Sequence, residues 1–129
     1  MFTIDQIFEM ISWNNDEETQ NKGIKEAKKI KDLSVFMQPI EDKSIWENCA
    51  KVLADKSDEV LIPYLIPLFE WLQDMNWPGA WLIYDRLKMM PAKDIEVPFN
   101  ISLSLADKYN DSLWKQALMD FKKESKICG

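Results

Sequence analysis

The sequence contains no histidine, one arginine, two cysteines and three glycines among 129 residues, and each scarcity removes a class of chemistry. Without an imidazole, the commonest general base and the commonest metal ligand are both missing, so Ser-His-Asp and Cys-His mechanisms cannot be assembled. Two cysteines, Cys49 in a helical pattern and Cys128 beside the last residue, are too few for a cysteine-rich zinc cluster. They also fall short of the paired frameworks of small secreted domains, and both read as reduced thiols of a cytoplasmic protein. Gly23, Gly79 and Gly129 lie far apart, so no glycine-rich phosphate loop exists. The positive-φ residues needed by tight strand-to-strand turns are equally scarce. Nothing here calls for a cofactor.

Basic charge is also limited. Lys and Arg total 16 against 22 Asp and Glu, for a net charge of −6, and Arg86 is the one guanidinium. Nucleic-acid binders neutralise phosphates with clustered basic groups, so DNA and RNA are not expected partners. Met1 leads directly into Phe2, Thr3, Ile4 and Asp5, without the basic and then apolar pattern of an export leader. The longest apolar run, Val60 to Phe69, is about half of a bilayer span and contains Pro63 and Pro67, so no membrane segment is expected. The acidity suits either attraction to a basic protein partner or simple solubility.

What is present is the composition of one globular domain over residues 1–129, with 47% hydrophobic and 29% charged residues. Thr3 with Gln6 forms a capping box, and Ile4, Ile7, Phe8 and Ile11 make a helical stripe over roughly residues 3–12. Asp16, Glu17 and Glu18 open a second helix that runs to about Lys31 with only Ile24, Ala27 and Ile30 as its apolar face. Ser44 with Glu47 caps a helix near residues 44–55 that buries Trp46, Cys49, Ala50 and Leu53. Ser57 starts the most apolar segment, in which Leu61, Leu65, Leu68 and Leu72 should be core and Pro67 should kink or split the helix. Pro78 restarts the pattern, with Trp81, Tyr84 and Leu87 on one face. Pro98 opens a further helix carrying Ile101, Leu103, Leu105 and Ala106. Leu113, Trp114, Ala117, Leu118 and Phe121 line the last one.

Trp46, Trp81 and Trp114 recur at spacings of 35 and 33 residues, each early in the second helix of a hairpin. This period is close to that of helical solenoids. The expected fold is therefore all-α, with about seven helices in stacked helical hairpins of the ARM/HEAT-like α-α superhelix kind. The alternative is an irregular bundle.

Two carboxylate pairs at helical spacing, Glu70 with Asp74 and Asp107 with Asp111, could hold a magnesium ion, or could simply be solvated surface and helix ends. Arg86 suits bidentate anchoring to an acid on a neighbouring helix, or ligand binding. The stretch EWLQDMNWPGAW combines Glu70, Trp71, Asp74, Asn76 and Trp77. It forms the candidate partner-binding site if its indoles are exposed, and core at a hairpin turn if they are not.

Residues 46–80, WENCAKVLADKSDEVLIPYLIPLFEWLQDMNWPGA, resemble a group of small, mostly bacterial helical proteins known as domain of unknown function family 5071. The resemblance implies a helical fold and carries no catalytic residues with it. Small acidic bacterial proteins of this kind often lie in toxin–immunity loci. The expectation is a non-enzymatic, protein-binding protein, a monomer or weak dimer, of the immunity type that occupies the basic region of a toxin. The alternative is a helical-repeat scaffold or interaction module.

Overall fold

A computed structural model describes residues 2–40 and 42–127; the expectation for Cys128 lies outside them. Local chemistry sets the first helices. Around α1 (Ile4–Ile11), Thr3 Oγ1 accepts from the Gln6 N–H at 3.1 Å and Gln6 Oε1 accepts from the Thr3 N–H at 2.9 Å. The box is complete and two orphan donors are satisfied. Asp16 caps α2 (Glu17–Ala27) through the Thr19 N–H at 2.8 Å. Gly23 lets α1 and α2 close on each other, since a Cβ there would stand 2.7 Å from both Ile11 Cγ2 and Met10 Cβ. A 3-10 turn, Leu33–Phe36, then drops Leu33 and Phe36 into the core.

The second 3-10 turn, Lys43–Ile45, leads into α3 (Trp46–Ala54), which is buried along most of its length. Asn48 on α3 is 3% exposed, and its Nδ2 donates to the Ile11 carbonyl at 2.7 Å and to Gln20 Oε1 at 2.9 Å. One buried amide thus ties three helices, with each bond made in a low-dielectric setting where leaving it unmade is costly.

The run 58–73 is bent. It comprises α4 (Asp58–Leu61) capped by Ser57, a 3-10 turn Ile62–Tyr64, α5 (Leu65–Glu70) and a 3-10 turn Trp71–Gln73. The break falls one turn before Pro67 rather than at it. Pro67 has no N–H for the Pro63 carbonyl and its ring would press on that group, so the chain opens at 62–64 and Pro67 takes the first turn of α5. Leu61, Leu65, Leu68 and Leu72 are all buried, as expected, whereas Val60 and Ile62 remain exposed.

Three helices complete the chain: α6 (Ala80–Lys88), α7 (Ala92–Lys108) and α8 (Ser112–Glu124). With the run 58–73 taken as one, these are seven helical segments; helical residues make up 72%, and no strand occurs among the described residues. No helix there is long and apolar enough to cross a membrane. Pro98 does not open a helix; it lies inside α7, which begins at Ala92. The start shifts the phase, and the core face is Ile95, Phe99, Ser102 and Ala106, leaving Ile101 exposed.

α1 packs on α2, α7 on α8, α3 against α6 and α5 against α7. The centre is an aromatic cluster in which Phe69 meets Phe121 edge-on at 5.2 Å and Phe99 at 6.0 Å, while Tyr84 meets Phe121 at 5.4 Å. The tryptophan period does not mark equivalent places. Trp46 and Trp114 are buried, but Trp81, expected in the core, is 58% exposed. It follows the buried Ala80 by one residue, and the 100° step per residue turns it away from the Ala80, Ile83, Tyr84, Leu87 face.

Candidate functional site

The expected partner-binding residues separate in the folded chain. Trp71 has no exposed surface; it lies three residues after Leu68 and shares that residue's inward face. Its ring stands edge-on to Trp46 at 6.0 Å and its Nε1–H donates to the Pro78 carbonyl at 3.0 Å. This corrects its assignment as an aromatic anchor. Asp74 Oδ1 accepts from the Asn76 N–H at 2.8 Å and folds the turn, leaving Asn76 exposed and Glu70 half-buried. Trp77 is half-buried, edge-on to Trp46 at 5.5 Å, with Lys43 Nζ 6.0 Å from its ring.

Gly79 closes this turn at φ 85°, a conformation that disfavours any side chain. A Cβ at Gly79 would also lie 2.6 Å from Ala50 Cβ and 3.0 Å from the Trp46 carbonyl. Its N–H donates to Glu47 Oε1 at 2.8 Å. Glu47 thereby fastens the start of α6 to α3.

What the fold does assemble is a groove beside α6. Two adjoining hollows, of about 480 and 460 Å³, share Met75 and Trp81. The first is lined by Trp81, Tyr84, Leu113, Asp120 and Glu124, and the second carries Asn76, Trp77, Glu47 and Asp85. Trp81 is 58% and Leu113 76% exposed. At the floor the Tyr84 hydroxyl donates to a Glu124 carboxylate oxygen. Burial pushes the phenol pKa well up, and the Glu124 hydrogen bond and the charges of Glu124, Asp120 and Asp85 push it further. The groove is therefore an apolar floor in a negative field, with Lys123 as a cation on its rim.

Sequence reading placed Trp81 and Leu113 in the core because each stands next to a true core position. The clue lies in the completed stripes: Trp114, Leu118 and Phe121 already fill the inward face of α8 at i, i+4 and i+7. Leu113 is superfluous to that face and points out.

The remaining candidates have structural duties. Arg86 Nε donates to the Ala54 carbonyl at 3.1 Å, and its terminal nitrogen donates to the Lys56 carbonyl at 2.8 Å and to Asp58 Oδ1 at 2.6 Å. It secures the α3–α4 turn to α6. Asp107 pairs with Lys115 at 2.7 Å, and Asp111 caps α8 through the Trp114 N–H at 3.0 Å. Among the described residues no three His, Cys, Asp or Glu side chains converge where they could hold a metal ion. Cys49 is a free, buried thiol whose pKa burial pushes up to about 12.

These features define an all-helical domain with one open, acid-rimmed aromatic groove. Residues 41–128 match the profile of a family described as Domain of unknown function (DUF5071), and the chain belongs to that family. No curated protein and no solved structure matches it.

Proposed function

We propose that this chain is a non-enzymatic, cytoplasmic binding protein that engages a basic protein partner, and that in a bacterial setting it serves as an immunity-type inhibitor of a toxin. The observation that carries this reading is the groove at Trp81, where an exposed indole and Leu113 adjoin Asp85, Asp120 and Glu124. Exposed aromatic side chains in concave surroundings are the usual anchors of protein interfaces, and carboxylates around them steer and select cationic surfaces. Of the residues expected at the turn, Asn76 and Trp77 line the second hollow and are kept in this proposal. Glu70, Trp71 and Asp74 are left out of the contact surface.

The test places a photo-crosslinking residue at position 81 and, as a control, at exposed Met89. A single partner captured from position 81 alone, with capture falling steeply at high salt, supports the reading. For the inhibitor role, the protein encoded beside this chain should arrest growth when expressed alone and not when co-expressed with it. Equal capture from both positions, or no rescue of growth, refutes the corresponding part. The scaffold reading draws on a second exposed set, Val97 and Ile101 on α7 with Tyr109 at its C-terminal cap. It requires that substitutions there abolish a second, independent association.

A further inference from the structure

We infer that the Trp81 groove recognises an arginine side chain of its partner, held between the indole face and the carboxylates of Asp120 and Glu124, with an apolar residue of the same partner seated at Leu113. This deepens the binding-protein reading and rests on it.

The first support is that, among the described residues, no internal cation occupies the exposed Trp81 ring, while lysines lie beside exposed Tyr109 at 5.5 Å and beside the buried Trp46 and Tyr84 rings. Lys43 Nζ lies 5.6 Å from the Trp46 ring and 6.0 Å from that of Trp77, and Lys88 Nζ lies 5.9 Å from the Tyr84 ring while pairing with Asp85 at 3.2 Å. Among the described residues no lysine sits over Trp81, although it is the most exposed indole of the chain. A ring face of this kind attracts a cation most strongly when the site is desolvated.

The second support is the pair of acids opposite. Asp120 and Glu124 form no ion pair among the described residues. They are four residues apart near the C-terminal end of α8, where the helix dipole disfavours negative charge. Asp120 accepts from Gln116 Nε2 at 3.0 Å and Glu124 from the Tyr84 hydroxyl, which leaves each carboxylate a further oxygen to offer a planar cation beside the exposed Trp81 indole. Guanidinium fits better than ammonium because it can stack on the ring while donating in parallel to a carboxylate.

The third support is direction along α8. Leu113, Ala117, Asp120 and Glu124 run along the groove from its apolar to its acidic end. Leu113 and Asp120 are seven residues apart, or about 10 Å along the helix axis. A partner segment in extended form covers about 10 Å in three residues, so an apolar residue followed three positions later by arginine matches the groove.

The experiment titrates 15N-labelled protein with the blocked tetrapeptide Leu-Ala-Ser-Arg amide and with its counterpart carrying neutral citrulline in place of arginine. The readout is the indole N–H resonance assigned to Trp81 through its loss in Trp81→Phe. The arginine peptide should give a saturable shift at least tenfold tighter than the citrulline peptide. That preference should vanish in the Asp120→Asn, Glu124→Gln double variant, whose far-UV spectrum should be unchanged because both side chains are exposed. Equal binding of the two peptides, or no saturable shift up to 10 mM, overturns the inference. If crosslinking at position 81 still captures a salt-sensitive partner in that case, only the arginine assignment falls. If capture fails as well, the binding-protein reading falls with it.

Discussion

Replacing Arg86 should reveal how much of the fold hangs on a single guanidinium. Its side chain is 16% exposed and makes two bonds to backbone carbonyls and one to Asp58, which is 42% exposed. The two carbonyl bonds carry a charged donor and are sheltered, so each contributes about 1–1.5 kcal/mol, while the pair with half-exposed Asp58 contributes less than about 1 kcal/mol. Arg86→Ala should therefore cost about 3 kcal/mol, lowering the melting temperature by roughly 10 °C for a domain of this size. Arg86→Lys should recover one of the three bonds and cost about 2 kcal/mol. Asp58→Asn should cost less than about 1 kcal/mol, and its effect should disappear in 1 M salt. Urea unfolding followed by circular dichroism, with the Arg86→Ala, Asp58→Asn double variant, separates the charge pair from the carbonyl bonds. A loss below about 1 kcal/mol for Arg86→Ala would refute the assignment of the arginine as the anchor of the α3–α4 turn.

Gly79→Ala should cost about 2–4 kcal/mol in thermal unfolding, because it combines left-handed strain with a clash against Ala50; a loss under 1 kcal/mol, roughly the noise of local relaxation, would show that the turn yields. Ser102 Oγ is fully buried without a hydrogen-bond partner among the described residues, so Ser102→Ala should raise stability by about 1 kcal/mol, and any loss of stability contradicts this. Burial raises the Cys49 thiol pKa from 9.0 to about 12 in the folded chain. Between those values only the unfolded chain releases the proton, so stability is unaffected below pH 9 and falls above it by up to about 1.4 kcal/mol per pH unit. Unfolding at pH 8 to 11 should show a shallower fall for Cys49→Ala, and equal slopes would exclude the thiol as a contributor.

Two helix starts governed by their own few residues were legible in the sequence, but the capping box expected at Ser44 and Glu47 does not form, because Asp42 takes the Ser44 N–H and Glu47 is drawn to the Gly79 N–H. Thr3 with Gln6, and Ser57 ahead of two acids, act within one turn and need no tertiary partner. The leucine stripe of the run 58–73 was equally plain, since four leucines in phase can only face inward. Proline positions were legible in kind and not in place. Pro67 and Pro98 both stand inside helices, and where the chain opens depends on which neighbouring carbonyl is free to relax. The candidate site suffered from the same ambiguity of phase. Whether Trp71 or Trp81 turns outward depends on where the 3-10 turn ends and where Gly79 starts α6, which are settled by Ala50 and Glu47 packing from a distant helix. The groove itself joins α6 to α8, two segments separated by all of α7, and no local pattern encodes that meeting.

The sorting of the indoles has an optical consequence. Trp46, Trp71 and Trp114 are buried, and their N–H groups donate to the carbonyls of Pro39, Pro78 and Phe69. Trp13 and Trp81 are more than half exposed. Two populations of emitter therefore share one chain, a blue set shielded from aqueous quenchers and a red set open to them, with half-buried Trp77 between the two. Covering Trp81 should move the spectrum to the blue and reduce iodide quenching, whereas unfolding should move it to the red and increase quenching. In a Trp13→Phe, Trp77→Phe background the protein is its own two-colour reporter: occupancy of the groove and loss of the fold shift the emission in opposite directions.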